Sequence, residues 1–262
     1  MAIIVFPSVN NAMTIATSKQ GDFMVLPNDS LGKKIIETQD YEPHFYQTVS
    51  KLVRAGDVVI DCGANLGYHT ITLGKLVGAS GKVLSFEPQR CIFQQLCGNV
   101  FLNNLRNVIT LNNAVGDCEK DIQMDYVNID QPDSNIGCTK IGEGGDKSRM
   151  LTIDQVIESQ GLQNANITFI KADIQGCEVK MLEGAVRTIA RCRPFMFVEI
   201  EGWLRSFDTT EEALKDKLRS LGYILIQIKN DWPTDHIAVP VEKEGMVPDI
   251  VSGLNCPYVI IK

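Results

Sequence analysis

The sequence has little histidine, no C-x-x-C pair, no run of lysine and arginine, and no G-x-G-x-x-G. Three histidines and eight scattered cysteines (Cys62, Cys91, Cys97, Cys118, Cys138, Cys177, Cys192 and Cys256) do not supply the closely spaced ligands of a zinc site. Several of these cysteines fall inside apolar segments, which suits buried structural thiols in a reducing compartment. A net charge of −7 with no basic run argues against a nucleic-acid-binding face. The amino-terminal stretch has no basic n-region, and its apolar run falls far short of the ~20 residues of a membrane helix. No transmembrane segment is therefore expected, and the chain reads as cytoplasmic. Nor is there an internal repeat or a long linker. What remains, 262 residues at 44% hydrophobic and 22% charged, is enough for one well-buried α/β domain.

Residues 1–56 read as an N-terminal extension ending in a lead-in helix, and 57–262 as the main domain. The stretch 22–37 looks partly extended. "DYEPHFYQTVSKLV" begins a helix, with Asp40 as cap, Pro43 in the first turn, and Phe45, Val49 and Leu52 on one face. From residue 57 strands and helices alternate. "DVVIDC", "KVLSFE", "NVITLNNAV", "NITFIKADI" and "PFMFVEIE" are strands, and "YILIQI" and "CPYVIIK" close the series. Helices lie at 67–77, in "QRCIFQQLCGNVFLNN" (stripe Phe93, Leu96, Cys97, Val100, Phe101), in "EVKMLEGAVRTIARC" and in "TTEEALKDKLRSLG". The last carries a capping pair, Thr209 with Glu212, and ends at Gly222. Such alternation means a mostly parallel sheet with helices on both faces. Residues 117–150 break the rhythm, and a loop that long is usually functional or mobile.

The chemistry concentrates in "VVIDCGANLGYHTITLGK". A buried strand ends at Asp61, and Gly63 and Gly67 let the backbone come close to a ligand at the mouth of the sheet. The helix that follows aims its amides at the same place. Glu87 ends the next strand, where a carboxylate can accept from ribose hydroxyls. Two acidic strand ends around a glycine turn point to an adenosine ligand. A dinucleotide would call for G-x-G-x-x-G, and its pyrophosphate would be repelled by Asp61. The sulfonium and ammonium of S-adenosylmethionine would be attracted.

The blocks "GDVVIDCGANLGYHTITL", "SFEPQ", "NNAVGD", "LTIDQVI", "IKADIQGCE" and "PFMFVEIEG", in this order, resemble the FkbM-type methyltransferases across residues 41 to 240. The resemblance implies a Rossmann-like class I methyltransferase with a seven-stranded, mostly parallel sheet and its last strand antiparallel. It implies O-methylation, often of sugar hydroxyls in glycans or glycoconjugates. By motif, Asp61, Gly63, Asn65 and Gly67 would hold the methionine end, Glu87 the ribose, and Asn113 and Ala114 would border the adenine. Tyr41 and Glu42 would close over the cofactor. A place in a multidomain or multi-enzyme glycan pathway is compatible with it.

A sugar hydroxyl is a weak nucleophile and needs a base or a metal ion. Asp173, Glu199 and Lys171, at the ends of the fourth and fifth strands, are the catalytic candidates in that order. Asp173 and Glu199 are also candidate ligands for Mg²⁺. Glu201 shares a face with Glu199, and Glu178 either joins them or caps its helix. His69 is read as packing, His44 as a helix surface residue, and His236 as a second candidate base in a polar segment. Trp203 and Trp232 are candidates for stacking on a sugar. The acceptor is expected between 128–150, the strand-five rim and the segment after 229. Alternatives are an amide, amine or small-molecule acceptor, a nicotinamide-dependent oxidoreductase, and a module that binds the cofactor without catalysis.

Overall fold

The computed structural model describes residues 13–130, 135–229 and 234–261. Its lead-in is more regular than a partly extended segment: β1 (Thr14–Ser18) and β2 (Gly21–Val25) form a hairpin, followed by helices α1 (Ser30–Thr38) and α2 (Pro43–Leu52). Pro43 opens α2, and Phe45, Val49 and Leu52 are buried, as the pattern requires. The cap is not Asp40. That carboxylate is taken by Lys19 Nζ (2.6 Å) and the Tyr41 N–H (3.0 Å), and Glu42 occupies the cap position at φ 44°.

The alternation then follows: β3 (Val58–Cys62), α3 (Tyr68–Val77), β4 (Lys82–Phe86), α4 (Arg90–Leu102) and β5 (Val108–Leu111). "NVITLNNAV" is two strands, because Asn112 turns the chain by donating to the carbonyls of Glu87 and Pro88 (2.8 and 3.1 Å). Its second half is β6 (Asn113–Val115), which joins β7 (Lys120–Asp125) and β8 (Gly144–Leu151) in a separate three-stranded sheet. The 117–150 excursion is therefore largely structured. Next come α5 (Ile153–Ser159), β9 (Ile167–Ala172), α6 (Glu178–Glu183), α7 (Val186–Cys192), β10 (Phe195–Glu199) and α8 (Glu211–Ser220). The break between α6 and α7 is at Gly184, where a Cβ would lie 1.9 Å from the Gly116 carbonyl oxygen. The cap of α8 is Thr210, which accepts from the Ala213 N–H at 3.1 Å, not Thr209. The chain closes with β11 (Tyr223–Ile228), β12 (Asp235–Pro240), α9 (Val247–Ser252) and β13 (Tyr258–Ile261).

The main sheet has eight strands in the order β13-β11-β12-β10-β9-β3-β4-β5, one more than the expected seven. β5, β4, β3, β9 and β10 are parallel, while β12 runs antiparallel to both β10 and β11. The segment read as a polar loop is thus an antiparallel strand, and the last strand, β13, is antiparallel to β11 as expected and forms the edge. Strand order reverses between β3 and β9, so the carboxyl ends of these strands flank the crevice where open α/β sheets take ligands.

Apolar side chains fill both faces of this sheet, Ile60, Leu84, Ile170 and Met196 on one and Val59, Val83, Phe169 and Phe197 on the other. Each fully buried side chain of this kind contributes about 1.5–3 kcal/mol relative to exposure. On α4 the buried face runs through Ile92, Leu96, Asn99 and Val100, which puts Phe101 on the opposite side, 86% exposed. Three of the eight cysteines, Cys62, Cys177 and Cys192, are buried, but Cys91, Cys118 and Cys138 are exposed, so a uniformly structural role does not hold. Among the described residues no helix is long and apolar enough to cross a membrane.

Candidate active site

The glycine turn between β3 and α3 has three consecutive reasons for its shape. Gly63, Asn65 and Gly67 lie at φ 78°, 51° and 97°. The N–H groups of Gly63 and Ala64 donate to the Phe86 carbonyl at 3.1 and 2.9 Å, and the Asn65 N–H donates to Glu87 Oε2 at 2.9 Å. Glu87 Oε1 accepts from the Gln89 N–H at 2.9 Å, so one carboxylate ties the turn to the end of β4. Burial pushes the Glu87 carboxyl up to about 7, against the pull of these two N–H donors.

Asp61 lies beneath the turn and not in the crevice. It is fully buried, accepts from Thr70 Oγ1 at 2.6 Å and stands 3.4 Å from Lys171 Nζ. Lys171, 2% exposed, also donates to the Gly63 carbonyl at 2.8 Å and approaches Asp173 Oδ2 at 3.4 Å. Lys171 therefore already compensates the aspartate that was expected to attract a cationic ligand directly.

Above the turn is a cavity. Glu87, Gln89, Ile92, Ala114 and Val115 line it together with Gly63, Asn65, Asp173 and Gln175, and Ile136, Gly137 and Lys140 of the excursion contribute to its wall. Of the sequence-derived candidates, Gly63, Asn65, Glu87, Ala114 and Asp173 meet here. Gly67, at φ 97°, opens α3 outside the lining. Asn113 donates to the Arg149 carbonyl at 3.1 Å and does not line the cavity. Tyr41 packs edge-on against Tyr68 and beside His69, both at 5.7 Å, above the start of α3.

Asp173 and Glu199 are bridged by a residue sequence reasoning passed over. Gln175 Nε2 donates to Asp173 Oδ1 at 3.1 Å and to Glu199 Oε2 at 3.2 Å. Its one sequence signal was the Gln–Gly pair, since both Gln175 (φ 52°) and Gly176 (φ 100°) take the left-handed conformation. Burial, then the neighbouring Asp173 charge, pushes the Glu199 carboxyl well above its ordinary range. Burial acts upward on Asp173 too, but Lys171 and hydrogen bonds from Glu199 and Gln175 outweigh it and hold Asp173 low. Burial and the Asp173 charge raise Glu201 to about 7. The two carboxyls are thus shifted in opposite directions and share one amide. Among the described residues no three His, Cys, Asp or Glu side chains are placed to hold a metal ion, so the Mg²⁺ expectation is withdrawn.

The remaining candidates are structural in their contacts. Glu178 Oε1 accepts from the Ile174 N–H (3.0 Å) and holds the turn before its own helix. His69 Nε2 is 2.8 Å from Glu42 Oε2, with its ring 3.9 Å from that of Phe45. His44 is not a surface residue; it is buried 2.7 Å from Asp235 Oδ2. His236 is not in a loop but in β12, 1% exposed, with Nδ1 2.7 Å from the Thr234 carbonyl, and burial pushes it down to about 4. Trp203 has Lys140 Nζ 5.0 Å from its ring centre. Trp232 lies outside the described residues.

A family model described as the methyltransferase FkbM domain matches residues 61–225, more than half of the chain. The chain belongs to the FkbM methyltransferase family. The family places this domain among the S-adenosylmethionine-dependent methyltransferases. The FkbM methyltransferase of Methylobacillus flagellatus KT is similar in structure, with 21% identity and a TM-score of 0.50 over 74% of this chain and 47% of that one. This FkbM chain therefore spans about half the length of that relative. Fibrillarin of Aeropyrum pernix, solved with S-adenosylmethionine bound, matches at 13% identity and a TM-score of 0.46 over 91% of this chain and 98% of that one. No curated protein matches the sequence.

The site of this FkbM domain sets a pH dependence for its folding. Glu87, Glu178 and Glu201 are raised from 4.5 to about 7, and Glu199 is raised well above its ordinary range. Between those values the folded state holds protons that the unfolded state has lost, so stability falls as pH rises. His236 acts oppositely: pushed from 6.5 to about 4, it adds stability as pH rises through that window. Four carboxyls against one imidazole decide the sign. The urea midpoint is expected to be lower at about pH 7.5 than at about pH 5; a rise would contradict this ordering.

Proposed function

We propose that this domain transfers a methyl group from S-adenosylmethionine to a hydroxyl, on a sugar of a glycan or glycoconjugate. The observation that carries the reading is a single cavity lined by Glu87, the bare backbone of Gly63 and the Asp173–Gln175 pair. When bound, S-adenosylmethionine supplies a methyl group carried on a cationic sulfonium.

The residues present fit that cofactor. Each Glu87 oxygen accepts one backbone N–H, and a carboxylate offers about four acceptor positions, so two remain for ribose hydroxyls. Ala114, Val115 and Ile92 offer an apolar slot for adenine. Asn113 serves that end by anchoring β6. Gly63, Asn65 and Gly67 shape the turn for the methionine end, Asp61 supports it from below through Lys171, and Tyr41 covers it from the lead-in side. Asp173, ionised beside the cavity, accepts the proton of the attacking hydroxyl, with Glu199 behind it. Lys171 holds Asp173 in place. A rim of carboxylates suits a donor-rich acceptor such as a sugar, which lies between the 135–141 segment and the Glu199–Glu201 edge.

The direct test is methyl transfer from labelled S-adenosylmethionine to a panel of methyl glycosides, oligosaccharides and amines. Label in a methyl ether is expected; label only in N-methyl products would overturn the hydroxyl assignment. For the cofactor end, Glu87→Gln is expected to weaken S-adenosylmethionine and its demethylated product equally, by about 10- to 100-fold, since hydrogen bonds to a charged group are worth ~1.5–3 kcal/mol. Calorimetric titration checks this, and unequal losses would show that Glu87 does not serve the part the two ligands share.

A further inference from the structure

Two carboxyls held side by side share one proton over a range of pH, because ionising both places like charges together. Asp173 and Glu199 meet that description: Gln175 Nε2 donates to both, at 3.1 and 3.2 Å, and holds the two carboxyls side by side. Gln175 is itself only 8% exposed, lines the cavity beside Asp173, and its Oε1 is buried with no hydrogen-bond partner. A buried amide oxygen without a partner, on a residue that lines a cavity, calls for a donor, and a bound ligand would supply one.

The charged surroundings are mixed. Lys171 of β9 approaches Asp173 at 3.4 Å and is shared with Asp61. Glu201 follows β10 and bonds to Glu199. Asp235 of β12 is paired with His44, and Glu42 of the lead-in with His69 and Tyr41. Cys138, from the excursion, lies near Asp173 and Glu201. Among the described residues, Glu199 and Glu201 thus add two carboxyls that form no ion pair. Lys171 is shared between Asp61 and Asp173, so among the described residues the carboxyls around Gln175 outnumber the cations beside them.

We propose that Asp173, Gln175 and Glu199 form a one-proton site that reads the charge of the cofactor, releasing its proton when the cationic sulfonium form binds and taking one back from the acceptor hydroxyl during transfer. This rests on the cofactor reading given under the proposed function. An opposite charge within about 4–6 Å lowers a carboxyl pKa by about 1–3, enough to ionise the second member of the pair. In the transfer the acceptor O–H is replaced by O–CH₃, the bond from methyl to sulfur breaks with its electron pair left on sulfur, and the proton goes to the pair. The positive charge and the need for two ionised carboxylates then vanish together. Gln175 suits either state, since its amide donates to both carboxyls and its open oxygen accepts from the ligand.

The test needs no acceptor. S-adenosylmethionine and S-adenosylhomocysteine differ by one methyl group and one positive charge, so groups that respond to the shared adenosine, Glu87 included, cancel in the comparison. Each is titrated into the protein calorimetrically at about pH 7 in two buffers of different ionisation enthalpy, which reads the protons exchanged. S-adenosylmethionine is expected to release ~1 proton more than S-adenosylhomocysteine, and Glu199→Gln to abolish that difference. Equal proton counts for the two ligands in the wild-type protein would overturn the proposal whether or not the variant folds. So would a difference that survives Glu199→Gln and disappears in Glu201→Gln, which would move the proton to Glu201. Binding of neither ligand would instead bring down the cofactor reading, and the proposal with it.

Discussion

Lys171→Met is expected to lower folding stability by about 3–5 kcal/mol, the usual result of removing one partner from a buried ion pair. Methionine keeps most of the stem's volume, so the loss is electrostatic and not a cavity effect. Asp61 is fully buried and would keep only the Thr70 hydroxyl. The Gly63 carbonyl would lose its 2.8 Å donor as well. Burial by itself would lower the lysine's pKa, but Asp61, Asp173 and Glu42 outweigh it and raise the value above the ordinary lysine range. Lys171 therefore stays protonated and cannot act as a base, so among the catalytic candidates it is a positioning residue. Urea unfolding of the single variant and of Asp61→Asn/Lys171→Met checks this. The double variant should recover more than half of the loss, because no orphan charge remains. A single-variant loss below about 1 kcal/mol would mean that the buried pair carries little of the turn's stability.

That network also marks the limit of what could be read beforehand. The strand–helix alternation was legible because "VVIDC" and "PFMFVEI" are near-continuous apolar runs, the pattern of strands buried on both faces. The glycine turn was legible because left-handed backbone leaves a local signature. Whether Asp61 faces ligand or core was not, because Lys171 lies far away in sequence and reaches it only through the β3–β9 pairing. β12 escaped for the same reason: its first two residues, Asp235 and His236, look like a loop until His44 and the Thr234 carbonyl satisfy them. Asp40 was a reasonable cap by local rules, and Lys19, from the hairpin, takes its carboxylate. β7 and β8 carry too few buried side chains to announce themselves, since most of their residues are half-buried or exposed. Local chemistry thus survives in sequence, while compensation across elements does not.

The same turn supplies the sharpest steric prediction. Gly63→Ala is expected to destabilise the protein by about 2–5 kcal/mol and to abolish S-adenosylmethionine binding. About 1–2 kcal/mol comes from placing an L-residue at a positive φ, here 78°, and about 1–3 from forcing a methyl into packed surroundings. The added Cβ would lie 1.8 Å from the Asp173 carbonyl oxygen and 3.3 Å from Ile174 Cγ2. That carbonyl cannot swing aside freely, because the Asp173 N–H is itself bound to the Cys62 carbonyl at 3.2 Å. Relief would have to part the ends of β3 and β9, the two strands that flank the crevice. Gly161 provides the control: it has φ 67° and open space where its Cβ would be, so Gly161→Ala should lose only the ~1–2 kcal/mol of backbone strain and keep full binding. Urea unfolding and calorimetric titration of both variants separate strain from clash. Equal losses of stability would mean the β3–β9 crevice opens readily, and the close approach of Gly63 to Asp173 would then not be what shapes the cofactor end of the cavity.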